Sequence, residues 1–500
     1  MPTANESYKM GVIDLSSNDT MMQYFEWYLS SDSTLWNDVS NQAKHLSNLG
    51  INYLWLPPAY KSAGGKEDTG YAVYDLYDLG EFDQKGTIPT KYGTKDEYIK
   101  AIKSLRENNI KSIADTVLNH KMGADGTEEV FAVEDDSSDR NVSLTEAKII
   151  KVWTKYDFPG RGDTYSNFKW NWTHFHGVDF DENTGKVAIY KFYGKHWDED
   201  VDKENGNFDY LMGADTDLNN LDVVTELKKW GKWYLDTADF DGFRLDAVKH
   251  IRADFFPDWL SEMRKYKDKK LFAVGEYWST NIDTINNYIT KTEGCMSLFD
   301  VPLHYNFYRA SISNGEFDMS QIFDGTLVKE NPEKAVTFVD NHDTEPGQAL
   351  ESWILDWFKP LAYSLILLRK DGMPCVFYGD YYGIPAQEVS SKQEILEKLL
   401  KVRKYFAYGE QKDYFYHSNI IGFTRSGDYE HPDSGLAVVM TGSEGGSILM
   451  NMGYNFSNTA FYDCTGNVQD IVVTDNDGKA EFYCKDGSVS VWIKQGLIVN

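Results

Sequence analysis

From about residue 21 to about residue 408 short apolar runs alternate with amphipathic helical segments, and this alternation limits the fold more than any other feature. The strand-like runs fall at 21–24, 51–56, 110–117, 243–245, 271–274, 297–299, 336–339 and 375–378. Helical signals lie between them. Thr94 with Glu97 and Ser391 with Glu394 have the spacing of a capping box, in which each residue satisfies the other's free helix-end donor. After Asp222 the apolar residues Val223, Leu227, Trp230, Tyr234 and Ala238 recur at steps of three or four, which marks one buried helix face. Eight strands alternating with helices predict an α/β fold of the (β/α)8 barrel type, with a doubly wound open sheet as the other arrangement.

Two breaks in the pattern predict two further units. Between 119 and 221 the alternation stops for a stretch far too long for a strand-to-helix loop and rich in Gly, Asp, Trp and Tyr. It reads as a β-rich subdomain inserted after the third strand. After about Gly409 short alternating runs with Gly and Asn-Asp-Gly turns predict an antiparallel β-sandwich. The expected division is a barrel over 1–118 and 222–408, an insert over 119–221 and a C-terminal domain over 409–500.

Composition excludes more than it identifies. A net charge of -28 argues against nucleic acid and anionic membrane surfaces as partners, since both are polyanions. No stretch approaches a membrane span, and the first residues lack a basic start followed by an apolar run. Four cysteines (Cys295, Cys375, Cys464, Cys484) in so long a chain do not make a disulfide framework, so a reducing cytoplasm is expected. A secreted chain stripped of its leader would read the same. The 33 tyrosines and 14 tryptophans suit sugar-stacking platforms, but large cores use the same rings.

In a barrel the C-terminal strand ends converge on one mouth. The third strand ends Asp115-Thr116-Val117-Leu118-Asn119-His120, and the fourth carries Arg244 and Asp246. The fifth ends Gly275-Glu276-Tyr277-Trp278 and the seventh Val339-Asp340-Asn341-His342-Asp343. Acids from three strands therefore meet, with two of the chain's ten histidines beside them. Glycoside cleavage needs such carboxylates, one charged to attack the sugar carbon and one protonated to serve the leaving oxygen. Alternate strand residues share a face, so Arg244 is expected to hold Asp246 ionised. Glu276, between an apolar run and two aromatics, is expected to be raised by desolvation. This makes Asp246 the candidate nucleophile and Glu276 the candidate acid/base.

The stretches DTVLNH, GFRLDAVKH, GEYW and FVDNHD resemble, in order and spacing, the four signature regions of the α-amylase family. The resemblance runs from MMQYFEWY through GYAVYDLYDLGEFDQKGT into the final β-domain, and is greatest to the bacterial liquefying α-amylases and their cytoplasmic relatives. It implies a retaining enzyme that cuts internal 1,4-α-glucosidic bonds of starch, glycogen and maltodextrins; a monomer is the expected state, though nothing in the sequence fixes it. By the same resemblance Asp246 is the nucleophile, Glu276 the acid/base and Asp343 a third carboxylate that distorts the substrate. Arg244, His120 and His342 would hold Asp246 and the sugar hydroxyls, Tyr71 would stack on the sugar, and Lys249 and Trp278 would line neighbouring subsites.

A metal is also implied. The stretch from Asn207 to Asp217 offers hard oxygen ligands of the kind calcium takes. Asp215, Asp217, Asn219 and Glu226 mimic an EF-hand loop, but Asn220 stands where that loop needs glycine. The resemblance places one structural calcium on Asn119, Asp209, Asp215 and the backbone oxygen of His250, with Asp198 and Asp217 as weaker candidates. His176 and Asn219 stand where the liquefying enzymes carry aspartates for further metal, and Asn419 and Gly442 replace two more. Other readings stay open on sequence: a transglycosylating or maltooligosaccharide-specific enzyme, an inactive glucan-binding protein, and a hydrolase whose metal does chemistry.

Overall fold

A computed structural model describes residues 11–497. Eight parallel strands close into a barrel: β1 (Met21–Gln23), β2 (Tyr53–Leu56), β3 (Lys111–Thr116), β4 (Gly242–Leu245), β5 (Phe272–Gly275), β6 (Ser297–Phe299), β7 (Ala335–Phe338) and β8 (Met373–Phe377). Each pairs with its chain neighbours, and β1 closes the ring by pairing with both β2 and β8. All eight lie where the apolar runs predicted strands, and the open sheet is excluded by this closure. Eight helices follow in alternation: α1 (Leu35–Leu49), α2 (Lys95–Glu107), α3 (Leu221–Ala238), α4 (Phe255–Lys267), α5 (Ile282–Lys291), α6 (Val301–Ile312), α7 (Lys359–Leu368) and α8 (Gln393–Phe406).

Local chemistry explains the helix ends. Thr94 and Glu97 form the expected capping box at the start of α2. The five apolar positions predicted for α3 are all buried, and Asn220 caps that helix by accepting from the Asp222 amide. Ser391 and Glu394 do not form a box. Here α8 starts one residue late, with Lys392 at its N-cap, so Glu394 falls short of the third helical position. Ser391 Oγ instead accepts from the Gln393 amide at 3.1 Å and donates to the Tyr381 carbonyl at 2.6 Å.

The insert leaves the barrel after β3. Its strands Gly126–Asp135, Lys148–Lys155, Gly177–Asp181 and Lys186–Phe192 make one antiparallel sheet. A short ladder, His120–Lys121 against Ala214–Asp215, ties the two ends of the insert together and sets His120 opposite Asp215. The C-terminal region has a six-stranded antiparallel sheet and a two-stranded antiparallel sheet, Gly446–Asn451 with Lys479–Cys484. Between them Met450, Phe461, Phe482 and Trp492 form a separate apolar core. Most of the aromatic content is core: Trp36, Trp55, Trp230, Trp259 and Trp492 are fully buried. All four cysteines are free and buried. Among the described residues no helix is long and apolar enough to cross a membrane.

Candidate active site

The mouth of the barrel is organised by one guanidinium. Parallel pairing sets Arg244 of β4 beside Asp115 of β3. Its Nη1 donates to Asp115 Oδ1 at 2.9 Å and to Asp246 Oδ1 at 2.7 Å, and its Nη2 donates to Glu276 Oε2 at 2.7 Å. Three strands thus deliver three carboxylates to a single fully buried cation. Immediately after Asp246 the chain turns sharply, with Ala247 in the left-handed region at φ +49. That conformation disfavours a side chain, and it persists here because the flanking bonds from Asp246 N to Thr116 O and Val248 N to Glu276 O hold it.

Asp343 arrives from the loop after β7. Its amide donates to Asn341 Oδ1 at 2.9 Å, and the Asn341 amide donates to Thr344 Oγ1 at 3.0 Å. Thr344 in turn donates to Asp340 Oδ1 at 2.8 Å. Behind the loop, Lys359 is buried between Asp340 and Asp380, and Tyr363 donates to Asp380 at 2.6 Å. A buried ionic network therefore fixes the turn that carries Asp343.

Burial dominates the acid chemistry. It pushes the Asp246 carboxyl up to about 7, with Arg244 opposing and Glu276 and Asp115 reinforcing the rise. The expectation that Arg244 keeps this group in the ordinary carboxylate range is thus corrected: one guanidinium shared among several acids does not outweigh desolvation. Asp343 is raised well above its usual value by burial and by Glu276. The histidines respond in the opposite sense. Burial lowers His120 to about 4 and, with Arg244 adding to it, takes His342 well below its usual value, so both rings are neutral donors or acceptors.

Trp27, Tyr71 and His342 form three nearly parallel rings. Trp27 and Tyr71 lie 6.1 Å apart at 6°, and Tyr71 and His342 lie 4.9 Å apart at 6°. Tyr71 also donates to Asp115 Oδ2 at 2.7 Å, and its carbonyl pairs with His120 Nε2 at 2.9 Å. On the far side of Glu276, Trp278 stands beside Lys249, whose Nζ donates to Glu204 Oε2 at 2.8 Å and to the Trp278 carbonyl at 3.2 Å. The insert thereby supplies one wall of the cleft. Asp246, Glu276 and Asp343 line a single cavity of about 1070 Å³ together with Trp27, Tyr71, His120, Glu204, Lys249, Trp278 and His342.

Sequence reasoning missed three members of the site. Asp115 is visible as the cross-strand partner of Arg244 once β3 and β4 are set side by side. Trp27 and Glu204 carry no such signal, because one follows a strand and the other sits in the insert.

Of the expected metal ligands, Asp209 and Asp215 meet in a buried group with His176. His176 Nδ1 lies 3.2 Å from Asp209 Oδ2 and 3.0 Å from Asp215 Oδ2, and its Nε2 lies 3.0 Å from Asp217 Oδ1. Burial works against an imidazolium here, yet the three carboxylates outweigh it and raise His176 well above its usual value. Asn119 is buried one residue before His120, the ladder partner of Asp215. The His250 ring pairs with the Phe208 carbonyl at 2.7 Å, next to Asp209. Asp198 is joined through its amide to Asp209 Oδ2 at 2.9 Å and is raised by burial and Asp209 to about 6. The group can bind a metal. Its carboxylate oxygens suit a hard cation, whereas the His176 nitrogen does not and, when charged, competes with one.

A barrel whose mouth gathers buried carboxylates, neutral histidines and a platform of parallel rings has the equipment of a glycoside hydrolase. Comparison with known proteins makes this specific. Residues 30–413 match the family described as "Alpha amylase, catalytic domain", and residues 448–493 match "Alpha-amylase C-terminal". The chain is 57% identical to an alpha-amylase of Geobacillus stearothermophilus over 97% of its own length and 88% of the relative's. It is 45% identical to the cytoplasmic alpha-amylase of Escherichia coli (strain K12), over 96% of its own length and 100% of the relative's. The crystal structure of a Geobacillus thermoleovorans alpha-amylase complexed with acarbose shares the fold, with a TM-score of 0.64 at 18% identity over 96% of this chain and 99% of that one. The chain belongs to the α-amylase family of glycoside hydrolases and is an enzyme with α-amylase activity.

Proposed function

We propose that the enzyme cleaves internal 1,4-α-glucosidic bonds of starch, glycogen and maltodextrins with retention of configuration. Asp246 attacks the anomeric carbon while Glu276 gives its proton to the departing glycosidic oxygen. A water then gives its proton back to Glu276 and displaces Asp246 from the glycosyl-enzyme. The observation that carries this reading is the guanidinium shared by Asp246 and Glu276. Adjacent nitrogens of one group suit the roughly 5 Å separation of retaining enzymes better than the wider gap that admits a water between the carboxyls. Asp115, Asp246 and Glu276 share one cation with Asp343 close by, so ionising every acid of the cluster at once is costly.

Asp343 would stabilise the positive charge that develops on the sugar ring. Tyr71, His120 and His342 would hold that sugar, Arg244 would orient Asp246, and Lys249 and Trp278 would contact the neighbouring unit. One structural calcium would sit on Asn119, Asp209, Asp215 and the His250 backbone oxygen, with Asp198 and Asp217 close by. Its chemistry would be to neutralise buried carboxylates and brace the insert against the barrel, away from the reacting bond. The absence of disulfides supports a reducing cytoplasm as the compartment, and a monomer is the simplest active unit.

The deciding experiment pairs Asp246→Asn and Glu276→Gln with the parent enzyme on amylose. Each variant is expected to lose about 10²-fold or more in kcat while still folding and binding glucan. Near-parent rates in either would remove the mechanism. Products released as the β-anomer would remove retention, and dominant transfer products would favour a transglycosylase.

A further inference from the structure

The Trp27 ring lies parallel to both of its partners in the platform, 6.1 Å from Tyr71 at 6° and 6.2 Å from His342 at 4°. Yet Trp27 belongs to the loop that leaves β1, outside any helix or strand, so the pairing of the barrel strands does not set its ring. Its amide donates instead to Oε1 of Glu345 at 2.8 Å, across 318 positions of chain. Glu345 follows Asp343 by two residues and is fully buried, whereas Trp27 lines the cavity of the carboxylates.

A second tie joins the same two loops. Tyr28 donates from its hydroxyl to the Pro346 carbonyl at 2.8 Å and accepts from Gln348 Nε2 at 3.0 Å. With that tie in place, the Glu345 carboxyl is a costly way to hold the loops together. Its Oε2 is buried without a hydrogen-bond partner. Glu26, also buried, accepts from the Tyr28 amide at 2.5 Å and opposes the ionisation of Glu345. Burial first, then Glu26, pushes the Glu345 carboxyl up to about 9, with the bond from Trp27 acting against them, so at neutral pH it is an uncharged acceptor. A buried oxygen left unpaired costs stability. What the group contributes is the one bond it makes, and that bond fixes the backbone from which the Trp27 ring projects.

We propose that Glu345 is a positioning residue for glucan binding: by accepting from the Trp27 amide it holds the indole parallel to Tyr71 and His342, where the three rings meet the sugar. This rests on the reading of those rings as the sugar platform, which Trp27→Ala tests on its own. The experiment measures KM and kcat on maltoheptaose, and Tm, for the parent, Glu345→Met, Glu345→Gln, Trp27→Ala and the Trp27→Ala/Glu345→Met double variant. Methionine keeps the reach of the side chain and removes the acceptor. It is expected to raise KM about three- to tenfold, the worth of one well-placed aromatic contact, with a smaller fall in kcat. Glu345→Gln retains a neutral acceptor and should bring KM back towards that of the parent. With Trp27 already replaced by alanine, Glu345→Met should add little. A KM unmoved by Glu345→Met, whatever its Tm, or raised by the same factor with and without the indole, would overturn the proposal. Should the methionine variant fail to fold, Glu345→Asp draws the acceptor back by one carbon and must raise KM in its place; an unmoved KM there overturns the proposal equally. A KM unchanged in Trp27→Ala would instead refute the platform, and the role of Glu345 with it.

Discussion

Asp115 and Arg244 are register partners on adjacent barrel strands, and their side chains meet at 2.9 Å with neither exposed to solvent. The pair makes the electrostatics of the mouth a property of the barrel wall as much as of the loops above it. Asp115 also adds to the rise of the Asp246 carboxyl. Replacing Asp115 by Asn should therefore move the acidic limb of the kcat/KM pH profile to lower pH. Asp115→Ala should in addition destabilise the fold by about 3–5 kcal/mol, the usual result of breaking a buried ion pair. A pH profile that does not move in Asp115→Asn would show that Arg244 shields Asp246 completely.

Asp246 itself makes stability depend on pH. An acid whose folded pKa lies above its unfolded value contributes stability that is fully present below the unfolded pKa and lost as pH rises through the folded one. For Asp246 that window runs from 3.8 to about 7. Asp246→Asn removes the cost of ionising the group in place, so its Tm relative to the parent should climb between about pH 4 and pH 7 and level off above that. Calorimetry at several pH values checks this; a constant difference would mean that the carboxyl ionises freely.

Lys359 should behave as a positioning residue for Asp343. Lys359→Met leaves Asp340 and Asp380 facing each other without a cation, at a cost of about 3–5 kcal/mol. The Tm should drop, and in the folded fraction kcat should fall more than KM rises, because the turn from Asp340 to Thr344 loses its anchor. Lys359→Arg should recover part of kcat. Equal kcat in the folded Met variant would leave Lys359 a purely structural group.

Calcium and His176 should prove interdependent. A chelator is expected to lower Tm and activity together, and activity lost at unchanged Tm would point to a metal that does chemistry. In His176→Gln the carboxylates of Asp209, Asp215 and Asp217 lose their imidazole partner. Unpaired buried acids are expensive, so this variant should melt lower than the parent in chelator and recover more of its stability with millimolar calcium. Identical calcium responses in the two proteins would separate His176 from the metal.

The fold was legible because each barrel strand is short, apolar and followed by a helix with its own period, which leaves few other ways to bury those faces. The acids at the strand ends were legible for the same reason, since β-pleating fixes which side chains reach the mouth. What stayed hidden depends on contacts across long stretches of chain. Trp27 finds Tyr71 and His342 only when β1, the loop after β2 and the loop after β7 meet. Glu204 finds Lys249 only when the insert folds back. The sense of the Asp246 shift was misread because the sequence displays Arg244 two residues away but not the burial that surrounds them both. Ser391 and Glu394 show the limit of local pattern: a helix that starts one residue later voids the box.

The closure of the barrel by β1 has a consequence for how the enzyme comes into being. Gln23, at the end of β1, pairs through Nε2 with Nδ1 of His342, 319 positions along the chain, at 3.1 Å. β1 has its second neighbour only once β8 exists. On the ribosome, the first strand must therefore wait for the last before the mouth can be completed, and joining elements so distant in sequence is slow. A nascent chain carries both Asp246 and Glu276 long before it can use them. Catalytic competence thus arrives late in synthesis and all at once.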